Sequence, residues 1–135
     1  MNYLLDTNAF SDLMRQHPQV TARLASLAPA DRAMICPVVR GEIRYGLERL
    51  APSKRRQDLE REMIRVLRMI PCEPLPCAVG DIYARIRLDC ERRGLAVDEN
   101  DLWIAAAALQ SGTIVVSRDT DFQHVPGLMI EDWSR

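Results

Sequence analysis

Acidic residues stand at the places in this chain where chemistry is easiest to build. Asp6 follows the apolar run Tyr3-Leu4-Leu5, and Glu42 lies near the start of a helical segment. Asp98, Glu99 and Asp101 precede an alanine-rich run, and Asp119 with Asp121 follows Thr113-Ile114-Val115-Val116-Ser117. In an open α/β sheet the carboxyl ends of the strands face the ligand crevice, so Asp6 and Asp119 point to one rim. Each acid also has a plainer alternative. Asp6 could simply cap the helix that Thr7 and Asn8 open, and Glu42 could be a surface glutamate favoured by the helix dipole. Asp98 could be an N-cap, Glu99 reads as exposed, and Asp119 could belong to an ordinary Asp-rich turn. If Asp6, Glu42, Asp101 and Asp119 converge, each like pair at about 4 Å costs roughly 4 kcal/mol at an effective dielectric near 20. Such a group must take up protons or a cation. Oxygen-only donors select hard divalent ions, magnesium or manganese before zinc. Beside an arginine-rich surface, that ion suits phosphodiester hydrolysis.

The elements that would position these acids follow from periodicity and punctuation. Asn2 to Leu5 reads as a strand, Ala9 to Gln16 as a short amphipathic helix, and Pro18 opens a second helix to about Ala28. Ala33-Met34-Ile35-Cys36, bounded by a turn and Pro37, reads as a buried strand. Val38 to Leu50 is helical, with Gly41 and Gly46 flanking Glu42. Glycine inside a helix costs about 0.5 to 1 kcal/mol, so the pair suggests close approach of another backbone. Lys54 to Ile70 is a basic amphipathic helix whose stripe of Leu59, Met63, Val66, Leu67 and Ile70 belongs to the core. Three prolines between Pro71 and Pro76 allow an edge strand at best. Cys77 to Arg93 is the next helix, stopped at Gly94. Leu102 to Gln110 is a small-residue helix closed by Ser111-Gly112, Thr113 to Ser117 is the clearest strand, and Gly127 to Glu131 offers a last short one, with Trp133 over an edge.

Composition sets outer bounds. The 135 residues suit one domain, residues 1–135, and 47 % hydrophobic with 27 % charged residues describes a globular chain. No apolar run approaches the roughly 20 residues that span a bilayer. The N-terminus has no basic region leading into an apolar one, so the expected compartment is the cytoplasm. Cys36, Cys72, Cys77 and Cys90 have neither zinc-ligand nor disulfide-framework spacing and are expected as buried thiols. The net charge of −1 hides a division: Arg40 to Arg68 holds nine bases against five acids, and Asp98 to Arg135 seven acids against two bases. Of the 18 basic residues 17 are arginine, whose fork matches phosphate oxygens. One half suits phosphate and the other a cation; solvated faces of opposite sign are the simpler explanation. No serine–histidine–acid arrangement or phosphate-cradling glycine loop is visible, and His17 and His124 read as incidental surface histidines.

The motifs also carry a family resemblance. L-L-D-T-N at 4–8, G-E-I-R-Y-G at 41–46, N-D-L-W-I-A-A at 100–106 and S-R-D-T-D-F at 117–122 resemble, in order, the four motifs of the PIN-domain nucleases. The length and the V-P-G-L-x-I-E-x-W ending further resemble the VapC toxins of bacterial toxin–antitoxin pairs. The resemblance implies a three-layer α/β/α fold around a central, mostly parallel sheet of about five strands, and a magnesium- or manganese-dependent endoribonuclease. By motif position the catalytic acids would be Asp6, Glu42 and Asp101, with Asp119 a weaker fourth, and the metal would sit among Asp6, Asp101 and Asp119. Asn8 and Ser117 would hold carboxylates or a water by hydrogen bonds, and Asp121 would assist. Ser117 stands where the family often has threonine, and Gly41 where a small polar residue or alanine is usual. The implied partners are an RNA, transfer or ribosomal, a small cognate antitoxin whose tail enters the acidic groove, and a second copy of the chain in a homodimer. No membrane partner is expected.

Three other readings share parts of this pattern. A structure-specific DNA nuclease would need extra helices to clamp a duplex, for which 135 residues leave no room. A noncatalytic module binding a cation or basic peptide would more naturally gather its acids in one contiguous loop. A phosphoacceptor domain expects a lysine near the last strand, but Lys54, the single lysine, lies in the basic helix.

Overall fold

The computed structural model describes the whole chain, Met1 to Arg135. Asn2–Leu5 forms strand β1, buried from Tyr3 onward, and α1 (Thr7–Met14) follows at once through Asp6. Helix α2 (Pro18–Ala25) starts on Pro18, whose fixed φ suits a first turn. His17 is not incidental: its Nδ1 accepts the Val20 N–H at 3.4 Å and caps the helix. The helix stops short of Ala28 because Ser26 turns back, its hydroxyl donating to the Arg23 carbonyl at 2.7 Å.

Strand β2 (Arg32–Met34) leads into α3 (Pro37–Glu48), and Ser53 caps the long α4 (Lys54–Met69) by accepting the Arg56 N–H at 3.2 Å. Next come α5 (Ala78–Arg92) and α6 (Glu99–Ser111), the latter ended by Gly112 at φ 67°, a left-handed value glycine adopts without strain. Strand β3 (Ile114–Val116), a 3-10 turn (Thr120–His124) and β4 (Ile130–Glu131) complete the chain.

The sheet runs β2-β1-β3-β4 with every pair parallel, Leu4 facing Met34 on one side and Val115 on the other. It has four strands where about five were expected. The proline-rich segment pairs only through a single bridge, Cys72 to Ile35, with Ile35 N–H donating to Pro71 O at 3.0 Å and Glu73 N–H to Ile35 O at 2.8 Å. Pro71, Pro74 and Pro76 have no N–H to extend that ladder.

Six helices flank the sheet; α1, α3 and α4 pack together as one group, and α5 lies along α6. A core of 32 buried residues runs through all these layers. Helix α6 is apolar on nearly every side, with Ala105 and Ala106 completely buried, so its backbone lies close to its neighbours. At the far edge Trp133 packs edge-on against Tyr3 at 5.3 Å and its indole N–H donates to Glu131 at 2.9 Å, covering the end of the sheet. Cys36 and Cys90 are buried as expected, whereas Cys72 is half-buried and Cys77 is exposed, because the proline turn before α5 lies on the surface. No helix is long and apolar enough to cross a membrane.

Candidate active site

Parallel pairing of β1 and β3 sets their carboxyl ends side by side: the Asp6 N–H donates to Val116 O at 3.1 Å, bringing Asp6 beside Ser117. Ser117 then does two things with one hydroxyl. It donates to Asp6 Oδ2 at 2.6 Å and accepts the Asp119 N–H at 2.9 Å. The other Asp6 oxygen accepts the Ala9 N–H at 2.8 Å. The cap uses Oδ1 and the anchor uses Oδ2, so capping the helix does not take Asp6 out of the cleft. As an expected outcome, Ser117→Ala should lower activity about 10- to 100-fold, the usual cost of losing a group that orients a ligand carboxylate. Ser117→Thr should retain activity; steady-state rates of the two variants on one substrate check both.

Helix α3 brings Glu42 to the same rim, where the Thr7 hydroxyl donates to its Oε1 at 2.6 Å. The first turn of α6 brings Asp101, and Asp98 caps that helix by accepting the Asn100 N–H at 2.9 Å. Asp6, Glu42, Asp98, Asp101 and Asp119, with Thr7 and Asn8, line a cleft of about 300 Å³ that contains no hydrophobic residue. Glu42 and Thr7 also face a wider groove of about 780 Å³ carrying Tyr45, Arg49, Asn100 and Trp103. Gly41 and Gly46 border that groove. No backbone approaches them: a side chain at either would meet nothing within 4 Å. The crowding expected at these glycines is absent, and they leave the groove open instead.

The supporting residues are placed unequally. Ser117 holds two of the acids, but Asn8 is exposed on the wall of the cleft and hydrogen-bonds to none of them. Asp121 reaches the site by its backbone alone, its N–H donating to Asp119 Oδ1 at 2.9 Å, and its carboxylate lies outside the cleft. Thr7 and Asp98 were not singled out as site residues from the sequence. Both occupy helix-start positions, where a hydroxyl or a carboxylate reads first as a cap.

The electrostatics are those of crowded carboxylates. Burial pushes the Asp6 carboxyl up, and Asp119 adds to it, against the hydrogen bonds from Ser117 and Ala9 and the charge of Arg118. Asp101 is pushed up to about 7, by burial first and then by Asp98, Asp119, Asp6 and Glu42. A divalent cation would relieve this repulsion, and an all-oxygen donor set fits magnesium or manganese. No three acidic, histidine or cysteine side chains crowd closely enough to hold an ion by themselves. That arrangement suits an ion bound by one or two carboxylates that keeps several waters, the habit of magnesium.

Comparison with known proteins agrees with this architecture. The PIN domain profile matches residues 3–128. The chain belongs to the PIN-domain family, in its VapC branch. It is 34 % identical over 122 residues to the toxin FitB of Neisseria gonorrhoeae, covering 87 % of each chain. It is 27 % identical over 137 residues to ribonuclease VapC2 of Rickettsia felis, with 100 % of both chains covered. Among solved structures, that of Rickettsia felis VapBC2 bound to a DNA fragment from its promoter superposes with a TM-score of 0.90 at 26 % identity, over 98 % of this chain and 99 % of the other.

Proposed function

We propose that this chain, folded as one domain, is a magnesium- or manganese-dependent endoribonuclease and the toxin of a toxin–antitoxin pair. The observation that carries the reading is the all-oxygen cleft, in which acids from β1, α3, α6 and the end of β3 meet. The printed names of the relatives support it: a ribonuclease, a toxin, and a VapBC2 assembly. The motif resemblance adds that the chain forms a homodimer, is silenced by a small antitoxin and cuts transfer or ribosomal RNA, and the expected compartment is the cytoplasm.

Of Asp6, Asp101 and Asp119, one or two would bind the ion directly and the rest would reach it through its waters, with Glu42 beside them. When bound, the ion neutralises phosphate charge and makes water more acidic. The protein's own groups do the rest. Asp6 is fixed through both oxygens, so it presents its remaining lone pairs in one orientation. Glu42 is held through Oε1 only and keeps Oε2 for a water. Asp101, which burial and the neighbouring acids push up to about 7 without the ion, is an acid whose charge a bound cation would stabilise. Hydrolysis joins a water oxygen to phosphorus and breaks the bond to the 3′ oxygen, leaving a 5′-phosphate and a 3′-hydroxyl.

The test is cleavage of mixed RNA by the purified chain. Cutting with magnesium or manganese, loss of cutting in chelator and recovery on adding the ion are expected. RNA left intact under all three conditions would overturn the reading, and cutting that survives chelation would overturn its metal dependence.

A further inference from the structure

Asp12 is a charge that the acidic cleft does not account for. It lies at 2 % exposure on the buried face of α1, among Ala9, Phe10, Leu13 and Met14. A carboxylate there is costly unless both its oxygens are paired. Both are, and both partners are arginines: Arg15 holds Oδ1, and Nη1 of Arg118 donates to Oδ2 at 2.5 Å. Arg118 directly follows Ser117, so this pair fixes a guanidinium beside the Asp6 anchor.

An arginine that serves the fold alone can spend all three of its nitrogens on the chain. Arg23 does so, giving Nε to Glu131, Nη1 to Ser26 and Nη2 to Tyr3. In Arg118, Nε and Nη2 donate to nothing in the chain, and 41 % of the side chain is exposed. It lines a pocket of about 410 Å³ that shares Thr7, Asn8 and Glu42 with the acidic cleft. Met14, Leu47 and Leu59 line the same pocket. An RNA backbone entering a site of five carboxylates needs a positive group beside it, and a fork of free N–H donors matches phosphate oxygens.

We propose that Arg118, oriented by the buried carboxylate of Asp12, binds a backbone phosphate of the RNA next to the one being cleaved. Nε and Nη2 make the contact, and the apolar side of the pocket receives the attached nucleotide. Asp12 is a positioning residue. This deepens the ribonuclease reading and rests on it.

The probe is a labelled single-stranded oligoribonucleotide, bound in chelator over a range of salt, with cleavage kinetics then read in magnesium. Melting of every variant fixes a temperature at which all are folded. Arg118→Met should weaken binding about tenfold and reduce the slope of log affinity against log salt by about 0.7, the loss of one phosphate contact on a single strand. In cleavage it should raise KM more than it lowers kcat. Arg118→Lys should keep the slope, and Asp12→Asn, which keeps the arginine charge, should still raise KM. Arg135→Met, the same charge change at the exposed terminus, should alter none of these. Wild-type affinity and slope in Arg118→Met would overturn the proposal, as would an equal loss of slope in Arg135→Met. So would Arg118→Lys binding as poorly as Arg118→Met with the slope unchanged in both. A wild-type chain that cuts RNA while Arg118→Met behaves normally removes this assignment alone. A wild-type chain that never cuts removes the ribonuclease reading itself.

Discussion

Asp6→Asn should reduce RNA cleavage by about 10²- to 10⁴-fold, the several kcal/mol that an electrophilic ion supplies to a phosphoryl reaction. The fold should survive. An asparagine carbonyl oxygen can still accept the Ala9 N–H, and the Ser117 hydroxyl can turn to accept from the new amide while keeping the Asp119 N–H. Because burial already penalises the charge of Asp6, the variant should melt at or above the wild-type temperature at neutral pH. Cleavage rate and melting temperature measured on one preparation check both halves. Wild-type cleavage by a folded Asp6→Asn protein would remove Asp6 from the site.

Asp101→Asn should give a comparable loss of cleavage, about 10²- to 10⁴-fold for a lost ion-holding carboxylate, together with a pH-dependent gain in stability. The sign follows from Asp101 being pushed up to about 7 from an ordinary value of 3.8. Between those two values the folded chain holds a proton that the unfolded chain has released, so wild-type stability falls as pH rises through this window. Below it both states are protonated and the residue contributes nothing; above it the full penalty remains. Asparagine carries no charge to repel. In ion-free protein the melting-temperature advantage of Asp101→Asn should therefore be small at pH 4, grow to about pH 7 and then stay level. Added magnesium should narrow the gap at pH 8 by stabilising the wild type more. A gap that stays constant over pH, or widens toward acid, would contradict the crowding of carboxylates around Asp101.

The strand-end aspartates could be read from sequence because β1 and β3 are short, apolar and sharply bounded, with Asp6 directly after the first and Asp119 three residues after the end of the second. The helices were equally legible, since α3 and α4 carry clean apolar stripes and α5 and α6 end on left-handed glycines. The fifth strand that the resemblance implied shrinks to a single bridge, because the prolines of that segment cannot donate to a ladder. Gly41 and Gly46 were misread for a different reason: absence of a side chain signals space, and sequence cannot say whether a neighbour or a groove fills it. Thr7 and Asp98 were hidden by their capping positions. Asp12 did leave a signal, a carboxylate at helical spacing on an otherwise apolar face, but its meaning depends on Arg118, 106 residues away.

The neighbouring strands β1 and β3 come from opposite ends of the chain, with Leu4 set against Val115. Asp6 is translated 111 residues ahead of Ser117, its anchor. A growing polypeptide therefore carries every early acid without a working arrangement of them. A chain truncated before β3 lacks Ser117 and should therefore show none of the activity that depends on the anchored Asp6.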